Sequence, residues 1–237
     1  MFYNFEKNLL PGKFITRLNR FTAEVLFKDT RVLCHVPSSG RMSELLTKGA
    51  DVLLRPAPLG SSRKTSYDLA LVWYNSNWVS VDSKLPNRLL EIAVAKGLVS
   101  PLKNATLIKR EPSFKKGRFD LLYELFGDKK ALIECKSVTL VEKGRGLFPD
   151  APTSRGKRHL EELGKAYKEG YLSFVVFLVQ RADASVFSPN WKRDSEFSET
   201  LLKISEEGVN VLSYYLIISP KGFKWGGSLP VEFCPQK

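Results

Sequence analysis

The chain is poor in the residues that build extracellular scaffolds and histidine-rich metal sites. Among 237 residues there are three cysteines, Cys34, Cys135 and Cys234, far apart and without a Cys-x-x-Cys pair. An odd, scattered set argues against a disulfide framework and fits a reducing cytoplasm. Histidine is scarcer still, and His159 has no second histidine near it in sequence with which to share a metal. No apolar stretch approaches the roughly 20 residues needed to cross a bilayer. Met1 to Glu6 carries no signal-peptide pattern. A cytoplasmic protein with no membrane partner is therefore expected. Internal repeats, low-complexity segments and a nucleotide-binding glycine-rich loop are also missing. The last deficit is negative charge. Asp and Glu total 25 against 37 Lys and Arg, giving a net charge of +12 and a pI near 9.6. Such an excess favours polyanions, nucleic acid first among them.

What is present divides in two. Runs at 12–20, 23–27, 31–36, 51–56, 67–74 and 78–81 read as short strands separated by turn residues, with one helical turn near 42–46. That spacing predicts a small β-barrel over residues 1–84. The oligonucleotide-binding (OB) barrel matches its size and interrupting helix, and an SH3-like barrel stays open. Beyond this point the pattern changes. A helix is predicted over 87–96 with Asn87 as its cap, then strands at 105–110, 118–126 and 132–138. A helix over 156–169, a continuous apolar strand at 172–180, a helix at 195–207 and a strand at 209–218 follow. Residues 85–237 thus form an α/β domain, and the whole chain a two-domain α+β protein.

One strand of that domain carries charge where apolar residues are expected. Glu134 and Lys136 lie two apart in the run 131–138, so they share a face. Buried charges need a partner or a metal. A hairpin through Gly127 to Lys130 would bring Asp120 beside them. Two carboxylates and a lysine on one face would hold Mg²⁺ or Mn²⁺ next to a phosphodiester, with Lys136 orienting water or balancing charge. Glu91, on the first helix, is the best-placed third acid, and an exposed helix carboxylate is the equal alternative. For Glu134 and Lys136 the plain alternative is an ion pair at a sheet edge.

Asp120 with Glu134-Cys135-Lys136 resembles the core motif of the PD-(D/E)XK nuclease superfamily, with Phe119 where that motif has proline. Longer stretches resemble the sugar fermentation stimulation protein A (SfsA) family: 35–46 (HVPSSGRMSELL), 146–163 (GLFPDAPTSRGKRHLEEL), 179–183 (VQRAD) and 187–189 (FSP). That resemblance implies an N-terminal OB-like domain, a C-terminal restriction-endonuclease-like αβββαβ core and DNA binding. The family name records a link to sugar-utilisation genes in bacteria.

Other basic residues are read as phosphate contacts. Arg155, Lys157, Arg158 and His159 open the second helix, whose N-terminal N–H groups already favour anions. Gln180 ends a strand on the active side of the core and would bond the scissile phosphate or Lys136, or else only cap the strand. Lys115, Lys116 and Arg118 precede Asp120 and would steer phosphate toward it. In the barrel, Arg17, Arg20, Arg31, Arg41, Arg63 and Lys64 are interleaved with Phe14, Phe21 and Phe27, a pairing that suits single strands, although the alternation of these phenylalanines in strands favours core packing for most of them. Trp73, Tyr74 and Trp78 flank a hairpin turn where bases would stack. The function expected is a divalent-metal-dependent DNA nuclease, using Asp120, Glu134, Lys136, Glu91 and Gln180. The alternative is a non-catalytic DNA-binding regulator of sugar-utilisation genes. Strandedness is open, as is a homodimer.

Overall fold

The computed structural model describes residues 2–5, 8–38, 40–58, 60, 63–115 and 117–234, and divides into two compact units. The first runs to Leu85 and includes 180–183 and 216–226; the second holds 86–179, 184–215 and the residues from Gly227 onward.

The first unit contains β1 (Tyr3–Asn4), β2 (Leu10–Asn19), β3 (Thr22–Phe27), β4 (Thr30–His35), β5 (Asp51–Pro56), β6 (Tyr67–Tyr74) and β7 (Asn77–Ser80). The order β4-β3-β2-β5-β6 is closed by a short parallel pairing of β4 with β6, which makes a five-stranded OB barrel. Alternation fixes its inside: in β3, Ala23 and Val25 are fully buried while Glu24 and Leu26 face outward. At the β6–β7 hairpin Asn75 and Ser76 both have positive φ, as two-residue turns matched to strand twist require. The expected helical turn is a single one, with the Leu46 N–H donating to the Met42 carbonyl. Met42 and Leu45 are buried in the barrel core.

The second unit begins with α1 (Leu85–Ala95) and continues through β8 (Thr106–Arg110), β9 (Ser113–Phe114), β10 (Gly117–Arg118), β11 (Leu121–Leu125) and β12 (Lys129–Val138). Then come β13 (Leu140–Glu142), β14 (Arg145–Phe148), α2 (Ser154–Lys168), β15 (Leu172–Val179), β16 (Val186–Pro189), α3 (Ser195–Glu206) and β17 (Asn210–Ser219). The end of β17 and most of β18 (Gly222–Ser228), which pairs antiparallel with β1, belong to the first unit. Strands β8, β11 and β12 form an antiparallel meander, β12 pairs in parallel with β15, and β15 with β17. Helix, three strands, helix and strand follow one another in the αβββαβ order expected from the sequence.

Three details differ from the sequence reading. Leu85 and Pro86 already belong to α1, because proline's missing N–H costs nothing in a first turn. Asn87 is therefore inside the helix and not its cap. The run 118–126 is not one strand: Gly117 and Arg118 pair with β9 as a small hairpin, and β11 starts at Leu121. The sheet β13-β14-β16 was not anticipated, since strands of three and four residues are too short to show alternation. Among the described residues no helix is long and apolar enough to cross a membrane.

Strand parity sets the position of the site. Leu132 and Val138, on the face of β12 that carries Glu134 and Lys136, belong to one core cluster with Val175, Phe177 and Val179 of β15. Leu160, Leu163 and Ala166 of α2 and Phe197, Leu201 and Ile204 of α3 complete that cluster. Each such side chain contributes about 1.5–3 kcal/mol of burial. Glu134 therefore lies under α2.

Candidate active site

β12 runs between β11 and β15, but its pairing with β11 ends at Ile133, so Glu134 and Lys136 are paired only with β15, and Asp120 takes the Cys135 N–H that would otherwise face β11. Glu134 is 3% exposed. Its Oε1 accepts hydrogen bonds from Lys136 Nζ and His159 Nδ1, each at 2.5 Å. Its Oε2 is buried and has no hydrogen-bond partner. Burial raises the pKa of this carboxyl, but the Lys136 charge and the bonds from His159 and Lys136 overcome it, and the net shift is downward.

Asp120 occupies the gap between β10 and β11. Its backbone N–H donates to the Ile133 carbonyl, which registers it against β12. One carboxylate oxygen accepts the Cys135 N–H at 2.8 Å and the other accepts Asn87 Nδ2 at 2.7 Å. Burial, reinforced by the Glu134 charge, pushes its pKa up to about 6 against the pull of those donors and Lys136. A carboxyl whose ionisation is opposed by a neighbouring carboxylate is a natural seat for a cation. Between them Cys135 is held as the neutral thiol, first by burial and then by both acids, so it is a packing residue.

The other sequence candidates are distributed unevenly. Glu91 forms a two-bond ion pair with Arg110, at 2.8 and 2.5 Å. Asn87, one turn earlier on α1, is the helix residue that reaches Asp120. Gln180 directly follows β15, is fully buried and is grouped with the first unit. Lys116 lies outside the described residues. A cleft of about 410 Å³ is lined by Ser113, Lys115, Gly117 and Arg118 from the β9–β10 hairpin and by Arg155, Arg158 and His159 from α2. Gly117 allows this close approach, since a Cβ there would overlap the Glu162 carboxylate of α2. Lys115 pairs with Glu169 and Arg118 with Glu111. Both are surface ion pairs, weak enough for a phosphate to displace. Lys157 instead turns to Glu196 at 2.8 Å.

The start of α2 is braced from α3. Thr153 caps α2 by accepting the Gly156 N–H, and Asp194, the cap of α3, accepts the Thr153 N–H as well. This bracing fixes the turn that carries Arg155 and His159. The contact of His159 with Glu134 escaped the sequence reading. The signal was its place on the stripe Gly156, His159, Leu160, Leu163 and Ala166, all buried.

In the barrel, the Arg17 terminal nitrogens donate to the carbonyls of Arg20, Ser38, Gly40 and Arg41 at 2.5–3.0 Å. Arg17 thus braces the carbonyls around 38–41, and Arg63 donates through Nη1 to Asp68 at 2.6 Å. Arg20, Arg31, Arg41 and Lys64 are exposed. Of the phenylalanines Phe14 is core, Phe27 packs on Tyr67, and Phe21 is half exposed and stacked on His35. Trp73 and Trp78 form a cross-strand edge-to-face pair.

The donor set suits a hard divalent cation. Among the described residues no three His, Cys, Asp or Glu side chains gather as a ligand group. Two carboxylates with water and phosphate completing the shell are, however, how Mg²⁺ is commonly held. The partnerless buried Glu134 Oε2 is an oxygen in need of such a ligand.

Known proteins place this architecture. A family model described as the sugar fermentation stimulation protein RE domain matches residues 84–222, and one described as the SfsA N-terminal OB domain matches 15–81. A sugar fermentation stimulation protein homolog of Natranaerobius thermophilus is 50% identical over 98% of this chain and 97% of its own length. One from Pyrobaculum arsenaticum is 41% identical over 99% of both chains. The solved structure of Pyrococcus furiosus SfsA in complex with Ca²⁺ superposes with a TM-score of 0.91 at 28% identity, covering 98% of each chain. The chain belongs to the sugar fermentation stimulation protein family.

Proposed function

We propose that this protein is a divalent-metal-dependent nuclease that binds DNA and hydrolyses its phosphodiester bonds. The observation that carries the reading is the pair of partly buried Asp120 and buried Glu134, set where β12 parts from β11, with one Glu134 oxygen left without a partner. The Ca²⁺ in the Pyrococcus furiosus relative supports a cation in this fold. Asp120 and Glu134 would hold Mg²⁺ or Mn²⁺, which when bound polarises the phosphoryl oxygen and lowers the pKa of water. Lys136 keeps an ammonium beside Glu134, where it balances the charge that builds on the phosphorane-like transition state. Arg155, Arg158, Lys115 and Arg118 line a cleft whose wall includes His159, itself bonded to Glu134, so phosphate held there lies on the carboxylates' side of the sheet. The net charge of +12 supplies long-range attraction for the polyanion.

The test is cleavage of labelled single- and double-stranded DNA with Mg²⁺ or Mn²⁺ by the wild type, Asp120→Ala and Lys136→Ala. Metal-dependent cleavage by wild type alone is expected. Cleavage that survives both substitutions refutes the site. Binding without cleavage under every condition supports the regulator instead.

A further inference from the structure

The bond between His159 and Glu134 has a consequence for the cation. His159 is 6% exposed, and its two ring nitrogens face different groups: Nδ1 meets Glu134 Oε1 at 2.5 Å and Nε2 meets Arg155 Nε at 3.4 Å. An arginine nitrogen can only donate, so Nε2 accepts and Nδ1 carries the proton given to Glu134. One neutral tautomer satisfies both contacts. Lys136 and His159 together hold Oε1, so the carboxylate cannot rotate to bury Oε2 elsewhere, and Oε2 is the oxygen left bare. Partners of this kind behind a ligand fix its orientation and govern metal affinity.

We propose that His159 is a positioning residue that locks Glu134 through Nδ1, presenting Oε2 to the divalent cation, while Arg155 holds the ring from the cleft wall. This rests on the metal-site reading above. His159 then acts on metal binding before any DNA arrives, unlike a histidine that only contacts phosphate.

Calorimetric titration of Mn²⁺ into the DNA-free protein separates these roles. The variants are His159→Ala, His159→Asn, whose amide can replace the Nδ1 donor, and His159→Gln, whose longer amide reaches toward the Nε2 position. His159→Ala is expected to weaken Mn²⁺ binding about 10–100-fold. His159→Asn is expected to recover most of that affinity and His159→Gln little. If His159→Ala fails to fold, judged by its melting curve, the Asn–Gln contrast still decides. Unchanged affinity in His159→Ala overturns the proposal, and so does rescue by Gln in place of Asn. Failure of the wild type to bind Mn²⁺ overturns the metal-site reading and this one with it. Binding by wild type with no difference among the variants overturns this one alone.

Discussion

Each unit buries one strand carboxylate, and the two are treated oppositely. In the barrel, Asp68 of β6 is 6% exposed and both its oxygens are taken: Oδ1 by Arg63 at 2.6 Å, Oδ2 by Arg55 at 3.1 and 3.3 Å. Arg55 also reaches Asp82 at 3.4 Å. In the second unit, Glu134 of β12 is equally buried, yet both its donors converge on one oxygen and the other is left open. A closed carboxylate holds the fold together. An open one stores an unmet demand for a cation, and the neighbouring Asp120 adds to it.

Substitution should separate the two sharply. Removing either open-site acid, by Asp120→Ala or Glu134→Ala, is expected to lower metal-dependent cleavage by about 10³-fold, in the range of lost transition-state stabilisation. Single-turnover cleavage at saturating DNA checks it. Asp68→Ala should instead cost stability, because Arg63 loses the carboxylate it is turned onto and Arg55 keeps only Asp82. Breaking a buried pair costs about 3–5 kcal/mol. Both arginines are roughly a third exposed, so about 2 kcal/mol is the expected loss here, with Mn²⁺ affinity unchanged. Urea melts and calorimetry read the two quantities independently.

Acid offers a third contrast, confined to the open site. Folded Asp120 keeps its proton up to about pH 6, against an ordinary value of 3.8, so between these values the folded state binds the extra proton. Stability of the metal-free protein therefore falls as pH rises through that window. Mn²⁺ must displace the same proton, so its affinity should drop as pH falls through about 6. Titrations at several pH values measure it. The smallest expected effect is on the cleft: Arg158→Ala should weaken DNA binding and lower the slope of log affinity against log salt by about 1.

Only the open side of this contrast was legible in the sequence, since nothing there set Asp68 apart. Alternation located the barrel strands, and the order of apolar runs located the αβββαβ core. Glu134-Cys135-Lys136 stood out because charge in an apolar strand demands a partner. Spacing could not say which partner, since His159 lies 25 residues away and meets Glu134 only when α2 folds over β12. Asn87 was hidden for the same reason: as a presumed cap it looked local, yet its amide reaches 33 residues to Asp120. For Glu91 the sequence left ligand and exposed carboxylate equal, and its pairing across the fold with Arg110 was beyond the reach of spacing. Arg17 and Arg63 looked like surface cations because sequence shows charge but not the carbonyls and carboxylate that consume it.

The most direct test of the open carboxylate is anomalous diffraction from crystals of the protein soaked in Mn²⁺. The expected result is one strong peak within coordination distance of Asp120 and Glu134 Oε2, with Oε1 still bonded to Lys136 and His159. Well-occupied Mn²⁺ elsewhere on the protein, with Glu134 Oε2 still without a ligand, would contradict it.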